Sequence, residues 1–344
     1  MKQTFQEILG QHAVIDAIRR AYLADRMPHG LIFAGPAGVG KATTAAALAK
    51  LFLCERPSGD APCSQCESCR VFASGNHPDY HVITKELIRY HDKGGKSKGI
   101  ELSIQVLRPE LIAPANRKPL MGHGKVFIVE QAELMNSQAQ NSILKTLEEP
   151  AGRTLIVLLT DQPASLLPTI RSRCQTFRFA SLDRGMVLEE LRKRGIGPAT
   201  AGDAARFAEG SLGVAMKWIE DGVIGPAREL MGQLDDLLRG RPPENLPGWF
   251  KAAADVYAEK QLDRDELSSK DQANREGLNL YLRLAAGHFR GRLAAGPDEG
   301  ELEKACASIE AIARAENYLD ANVNVAIIFQ QLSLTLAREY RARE

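Results

Sequence analysis

The period of the apolar positions changes several times along the chain. Val14, Ile15, Ile18, Ala21 and Tyr22 recur at helical spacing and predict an amphipathic helix. Leu31-Ile32-Phe33-Ala34 is then an unbroken apolar run closed by Gly35, the pattern of a buried strand feeding a turn. Thr43–Phe52, rich in Ala and Leu, returns to a helix, and Tyr80–Thr84 reads as a second strand. Val126–Val129 and Leu155–Leu159 are further buried strands, separated by a helix that runs from Asn136 as N-cap to a stop at Glu149-Pro150. Gln175–Phe179 alternates, as a strand closing the sheet would. Strands alternating with helices predict a parallel α/β domain over residues 1–180.

Beyond that point strand-like runs stop. Residues 181–222 read as a small helical unit and 223–344 as a larger helical domain, with Arg239-Gly240-Arg241-Pro242-Pro243 as a loop inside it. The last helix carries an apolar face of Val325, Ile328, Phe329, Leu332 and Leu336. The Lys- and Gly-rich stretch Asp92–Lys98 reads as a mobile, solvated loop, with a DNA contact as the minor alternative.

A chain of 344 residues needs more than one domain, and its composition is that of a soluble globular protein. A formal net charge of +1 excludes a strongly basic nucleic-acid binder, so any DNA contact must be local or made through partners. The opening Met1–Glu7 lacks an apolar leader and no run reaches membrane-spanning length, so a cytoplasmic location is expected. Four of the six cysteines crowd into residues 54–69, which in a reducing compartment favours a metal over disulfides.

Gly35-Pro36-Ala37-Gly38-Val39-Gly40-Lys41 matches a phosphate-binding loop and sits, as such a loop must, between strand and helix. Glycines let backbone N–H groups converge on phosphate oxygens, and Lys41 adds a point charge. The next residue should be Ser or Thr to ligate Mg²⁺; it is Ala42. Thr43 cannot substitute, because one helical step turns a side chain by about 100°. The apolar strand that should end in a metal-binding Asp and a catalytic Glu ends in Glu130-Gln131; Glu130 can still reach a metal through water, but the amide of Gln131 cannot act as a base. ATP or ADP binding is compatible with what remains; rapid hydrolysis is not expected.

Cys54, Cys63, Cys66 and Cys69 carry two tight Cys-x-x-Cys hooks, the closed S₄ set that Zn²⁺ takes in structural sites. An iron–sulfur cluster, a redox pair or free cysteines are the lesser alternatives. Cys306, isolated, reads as a small buried apolar residue.

Several segments together are more specific than the loop alone: Pro28-His29-Gly30, the cysteine module, Asn76-His77-Pro78-Asp79, Asn141-Ser142-Ile143-Leu144-Lys145-Thr146-Leu147-Glu148-Glu149-Pro150 and Arg171-Ser172-Arg173-Cys174. They resemble the clamp-loader AAA+ subunits of bacterial DNA polymerase III, closely over the first 180 residues and more loosely beyond, where Asn322-x-Asn324 is also similar. The resemblance implies an AAA+ P-loop parallel sheet with an inserted zinc module, a small helical lid and an all-α collar domain. Two kinds of subunit share this plan, the gamma/tau motor and the non-motor delta-prime kind. The chain resembles the latter in Ala42, in Glu130-Gln131, in Gly213, where a motor carries a phosphate-sensing Arg, and in stopping without the long extension of tau. An active gamma/tau-type ATPase with degenerate motifs is the alternative.

By the same resemblance Arg173 looks like an arginine finger given in trans to ATP on an adjacent gamma subunit, with Cys174 packed behind it; without the resemblance, a solvated or capping Arg is the plainer reading. The implied partners are gamma/tau and delta subunits, the sliding clamp, and primed DNA mainly through the complex. Arg171 is expected to face solvent or DNA phosphates, and Pro109 to break the family's helix after Ser103. Thr160 stands where the family has a polar sensor, or is an ordinary strand-ending Thr.

Overall fold

The computed structural model describes residues 4–91, 101–121, 123–241, 243–264, 269–294, 296, 298–321 and 323–340. The Asp92–Lys98 stretch, Pro242 and Asn322 lie outside the described residues. The chain divides into two compact units, one running to Val187 and including Glu209–Gly213, the other made of Leu188–Ala208 and the chain from Val214 onward.

In the first unit β1 (Gly30–Ala34), β2 (Tyr80–Ile83), β3 (Lys125–Val129), β4 (Thr154–Thr160) and β5 (Gln175–Arg178) form a sheet in the order β2-β3-β4-β1-β5. Every pairing is parallel. The unbroken apolar runs are explained by burial on both faces: every residue of β1, β3 and β4 is buried. Along them alternate side chains serve opposite cores. Leu31, Phe33, Val126, Ile128, Leu155 and Val157 meet Ile18, Leu48 and Phe52 on one side. Ile32, Phe127, Val129, Ile156 and Leu158 meet Leu107, Ile143 and Ile170 on the other. In β5 only Phe177 is buried, which is why this edge strand alternates.

The helices that matter here are α1 (His12–Leu23), α2 (Lys41–Leu53), α3 (Glu67–Ala73), a rod α4 over 104–115, α5 (Ser137–Ser142), α6 (Leu144–Glu148) and α7 (Pro168–Arg171). Two expectations need correction. Pro109 does not break its helix: Ile104–Leu107 passes through a π-turn, Arg108–Ile112, into Ala113–Ala115, and the wider turn accommodates the ring that an α-helix would reject. The segment after Asn136 is two short helices rather than one; Asn136 does cap α5 by accepting from the Ala139 N–H at 2.9 Å, but the chain turns at Ile143 before α6. A buried lysine went unread in the sequence. Lys125 opens β3 with its ammonium bonded to the carbonyls of Pro114, Ala115 and Arg117, capping the C-terminal end of α4.

The second unit is helical among its described residues. Its longest helices are Leu246–Arg264, Lys270–Ala294, Glu299–Asp320 and Val325–Tyr340. Phe250 against Phe329 at 4.6 Å and Trp249 edge-on to Tyr281 at 5.3 Å centre its core. Ile328, Phe329, Leu332 and Leu336 are buried as the last helix's periodicity required. Cys306 is exposed, not buried, because it lies on the outer face of Glu299–Asp320, away from Ala305, Ser308 and Ile312. Among the described residues no helix is long and apolar enough to cross a membrane.

Candidate functional site

A parallel sheet has two chemically different edges, and the residues singled out from the sequence divide between them. At the C-terminal edge, β1 runs straight into Gly35–Lys41 and α2. Gly38 and Gly40 adopt left-handed φ values of 71° and 108°. The five successive carbonyls of residues 35–39 each accept a hydrogen bond. Lys41 Nζ donates to the carbonyls of Gly35 and, at 2.8 Å, Pro36. Ser211 Oγ donates to Ala37 at 2.7 Å, the Gly213 N–H to Gly38 at 2.9 Å, and Gln11 Nε2 to Val39 at 3.3 Å. The loop is thus braced from outside. Burial, as the leading cause, pulls the Lys41 ammonium below its ordinary pKa, against the opposing pull of Asp161 and Glu133.

Gly213 shows why a large residue has no room here. A Cβ on it would lie 2.8 Å from Gly38 Cα and 2.9 Å from Gly38 O, both backbone atoms that cannot swing aside. Ala42 offers no oxygen, and the nearby Thr44 commits its hydroxyl to the Gly40 carbonyl at 2.8 Å. Glu130 is held above its usual carboxyl range by burial and then by Glu86, while Gln131 is exposed in a left-handed turn at φ 50°. Thr160 is buried; its Oγ accepts the Gln162 N–H at 3.0 Å and its hydroxyl is shared with Glu133. Glu133, which sequence reasoning missed, is itself raised by burial and stands beside Asp161. A carboxylate one turn past the strand carries no motif signal, so only the fold reveals it.

The cysteine module hangs from the far end of α2. Cys54 follows the last residue of that helix, and Cys66 is the N-cap of α3. The Sγ atoms of Cys54, Cys63, Cys66 and Cys69 all lie within 4.8 Å of one another, with Cys54 and Cys66 4.0 Å apart. A tetrahedral S₄ zinc site with bonds of about 2.3 Å requires sulfur separations of about 3.8 Å, so this donor set fits a metal of that kind. Backbone N–H groups already point at the sulfurs: Cys63 to Cys54 at 3.2 Å, Cys66 to Cys63 at 3.3 Å, and Cys69 to Cys66 at 3.4 Å. Donation from Gln65 and Cys66 lowers the Cys63 thiol to about 6, whereas burial pushes Cys54 and Cys69 up. A bound cation would remove that conflict.

The Asn76-His77-Pro78-Asp79 motif ties this module to the sheet. His77 Nδ1 accepts the Asp79 N–H at 3.1 Å, so the proton of the neutral ring sits on Nε2 and is donated to Ser68 Oγ at 3.0 Å. Ser68 passes its own proton to the Leu53 carbonyl at 2.7 Å, beside Cys54. Burial lowers the His77 pKa, in keeping with a neutral ring. Asp79, buried, accepts the N–H groups of Leu120 and Met121, each at 2.8 Å, while its carbonyl takes Val126 into the ladder at 2.9 Å.

At the N-terminal edge three sequence motifs meet on one glycine. A Cβ on Gly30 would lie 2.8 Å from Cys174 Sγ and 3.2 Å from both the Arg173 carbonyl and Leu147 Cδ2. Only hydrogen fits there. Cys174 is packed against the core, and burial pushes its thiol up to about 12. Arg173, next to it, keeps a side chain 33% exposed and pairs with Glu148, while its Nη1 donates to the Thr169 carbonyl at 3.0 Å. Arg171 is exposed. Because β1 runs from Gly30 to Ala34, the Arg173 end is separated from Gly35 by roughly 13–17 Å at about 3.3 Å per residue. The structure therefore brings Gly35, Gly38, Gly40, Lys41 and Ala42 together at one edge and sets Arg173 and the four cysteines apart from them.

Known proteins match the stretch of chain that forms the sheet. The family described as "DNA polymerase III, delta subunit" matches residues 10–183, just over half of the chain. The DNA polymerase III subunit delta-prime of Bacillus subtilis is 35% identical over 191 residues, covering 56% of this chain and 54% of that protein. The DNA polymerase III subunit tau of Escherichia coli is 31% identical over 248 residues, covering 68% of this chain and 36% of that one. A solved DNA polymerase III gamma-subunit-related protein from Thermotoga maritima superposes with a TM-score of 0.41 at 20% identity, covering 95% of this chain and 99% of the other. The chain spans about half the length of the curated delta-prime relatives it matches. With the sheet, the braced loop and the matched segment on one unit, the chain belongs to the DNA polymerase III delta family, on its delta-prime side.

Proposed function

We propose that the chain is a non-motor AAA+ subunit of a clamp loader. It helps place a sliding clamp on primed DNA, and gives Arg173 in trans to ATP held by a neighbouring gamma/tau subunit. The observation that carries this reading is the separation of the edges. Arg173 lies a full strand length from the chain's own phosphate loop and is too far to touch a nucleotide there, yet its side chain is partly exposed. Its Nη1 caps the Thr169 carbonyl at the end of α7, and a guanidinium so placed can also reach a phosphate only if another molecule brings it. The chain's own loop, braced but without a metal-ligating hydroxyl or a catalytic acid, holds ATP or ADP at most without rapid turnover.

In this reading residues 181–222 act as a lid and 223–344 as the collar that joins the ring, alongside gamma/tau and delta neighbours, in the cytoplasm. Cys54, Cys63, Cys66 and Cys69 hold Zn²⁺, which supplies folding free energy to the module and no chemistry. The test is reconstitution with gamma and delta subunits and the clamp. Arg173→Ala lowers DNA-stimulated ATP hydrolysis by roughly 10³-fold, the size of effect known for arginine fingers, whereas Lys41→Ala changes it by less than about threefold. The reverse pattern would mark the chain as a gamma/tau-type motor.

A further inference from the structure

Arg173 is not a free surface arginine, and the way it is held bears on what it can do. Its Nε donates to Glu148 Oε1 at 2.5 Å, and Nη2 pairs with the same carboxylate. Nη1 donates to the Thr169 carbonyl at 3.0 Å and makes a long contact of 3.5 Å with Ser172 Oγ. A guanidinium has five N–H donors fixed in one plane. Glu148 takes the side formed by Nε and Nη2, and Thr169 takes an Nη1 proton. With Ser172 Oγ taking a long contact from Nη1 as well, one N–H of Nη2 is left along the outer edge, able to donate to a phosphate oxygen.

We propose that Glu148 is the positioning residue for Arg173, holding the guanidinium side-on so that its outer edge is presented to a phosphoryl group on a neighbouring subunit. This rests on the finger reading above and adds to it the residue that aims the finger. Stability is a weak reason for the pair. Both partners are well exposed, Arg173 at 33% and Glu148 at 46% of the side chain, and exposed pairs of this kind contribute little. Aim is a different matter, because an arginine loses much rotamer freedom when it binds and a pre-formed orientation removes that cost from the encounter.

The backbone beneath is built for the same purpose. Leu147 and Cys174 pack together over Gly30, and each is the chain neighbour of one member of the surface pair. Glu148 is the last residue of α6, and Arg173 follows α7 with its N–H bonded to the Ile170 carbonyl at 3.1 Å. The packing of Leu147 and the partly buried Cys174 fixes the distance at which the exposed pair meets.

The experiment uses the reconstituted loader, with kcat and KM for ATP measured separately. Glu148→Ala is expected to lower kcat about tenfold, part of the roughly 10³-fold loss from Arg173→Ala, with KM within twofold of the parent. Glu148→Gln, whose amide oxygen still accepts from Nε, is expected to retain more than half of kcat. Adding Glu148→Ala to Arg173→Ala should cost nothing further, since the first acts only through the second. In the isolated chain the Arg173 Nε–H resonance should be sharp in the parent and in Glu148→Gln and broadened in Glu148→Ala. An unchanged or raised kcat in Glu148→Ala, beside a damaging Arg173→Ala, overturns the positioning role alone. Additive losses in the double variant overturn it as well. A harmless Arg173→Ala removes the finger reading and this inference with it.

Discussion

The two edges of the parallel sheet keep different parts of one inherited plan. At the C-terminal edge the phosphate loop retains its glycines, its lysine and an outer bracing by Gln11, Ser211 and Gly213, but the oxygen-bearing groups that handle a metal and a water are missing at Ala42 and Gln131. At the N-terminal edge Gly30 admits Leu147 and Cys174, and their chain neighbours Glu148 and Arg173 pair at the surface. The cysteine module, hung from the end of α2, belongs to the same side as that edge. The comparison teaches that the two ends of one sheet are held by different means: a loop braced through its carbonyls at one, and side chains packed on a glycine at the other.

The largest effect expected from breaking the N-terminal side concerns the metal. Four sulfurs gathered within 4.8 Å suit a metal as thiolates, whereas burial holds Cys54 and Cys69 as neutral thiols without one. Chelation of the purified protein, or Cys66→Ser, should lower the melting temperature by about 10 °C or more, read by a thermal scan with and without added Zn²⁺. An unchanged transition, with four freely titrating thiols, would show that the module stands without metal.

Gly30→Val comes next. Its side chain would enter space held by Cys174 Sγ, Leu147 and the Arg173 backbone, at an expected cost of about 3 kcal/mol in urea unfolding. Gly152→Ala is the control: it too concerns a glycine, but one with nothing within 4 Å of its added carbon, at φ 68°, and should cost only about 1 kcal/mol for backbone strain.

A smaller loss is expected from the relay between module and sheet. His77→Ala leaves Ser68 Oγ and the Asp79 N–H without their partner and should cost about 2 kcal/mol. The pH dependence has a definite sign. Burial lowers the folded pKa of His77 below the unfolded value of about 6.5, so the unfolded chain binds the extra proton. The stability contributed by the neutral ring is therefore present above that pH and declines as pH falls below it. In His77→Gln, which can still donate to Ser68, that part of the decline should vanish.

Much of this was legible in the sequence, for physical reasons that differ by element. Doubly buried strands such as β1, β3 and β4 have to be continuous apolar runs, and they were read as such. The spacing of the four cysteines suggests that they converge, and the fold gathers their sulfurs within 4.8 Å. What could not be read were consequences of tertiary approach. Lys125 looks like a polar residue before a strand until α4 delivers three carbonyls to it. Pro109 reads as a breaker because helical rules assume an α-turn, and a π-turn admits the ring. Cys306 was misread because cysteine's usual burial is a statistical preference, overruled here by the face of the helix it occupies. Glu148, inside a long recognised segment, gave no sign that it faces Arg173, since a contact over 25 positions has no local signature.

The smallest expected effect is the sharpest check on the comparison, because it asks whether the C-terminal edge can be repaired. Ala42→Thr and Gln131→Glu restore the hydroxyl and the acid by type, and exposed positions tolerate both. Gly213→Arg is a different case: its Cβ would meet the Gly38 backbone at 2.8 Å, so the segment that now braces the loop would have to move away. Hydrolysis needs all these groups in place at once, around a metal and an aligned water. The double variant Ala42→Thr/Gln131→Glu is therefore expected to change ATP hydrolysis by the isolated chain by less than about twofold, measured as phosphate release with Mg²⁺, and adding Gly213→Arg should lower stability rather than raise turnover. Vigorous hydrolysis in the double variant would mean that the C-terminal edge had lost two side chains and not its architecture, and that the bracing by Ser211 and Gly213 is compatible with a working motor.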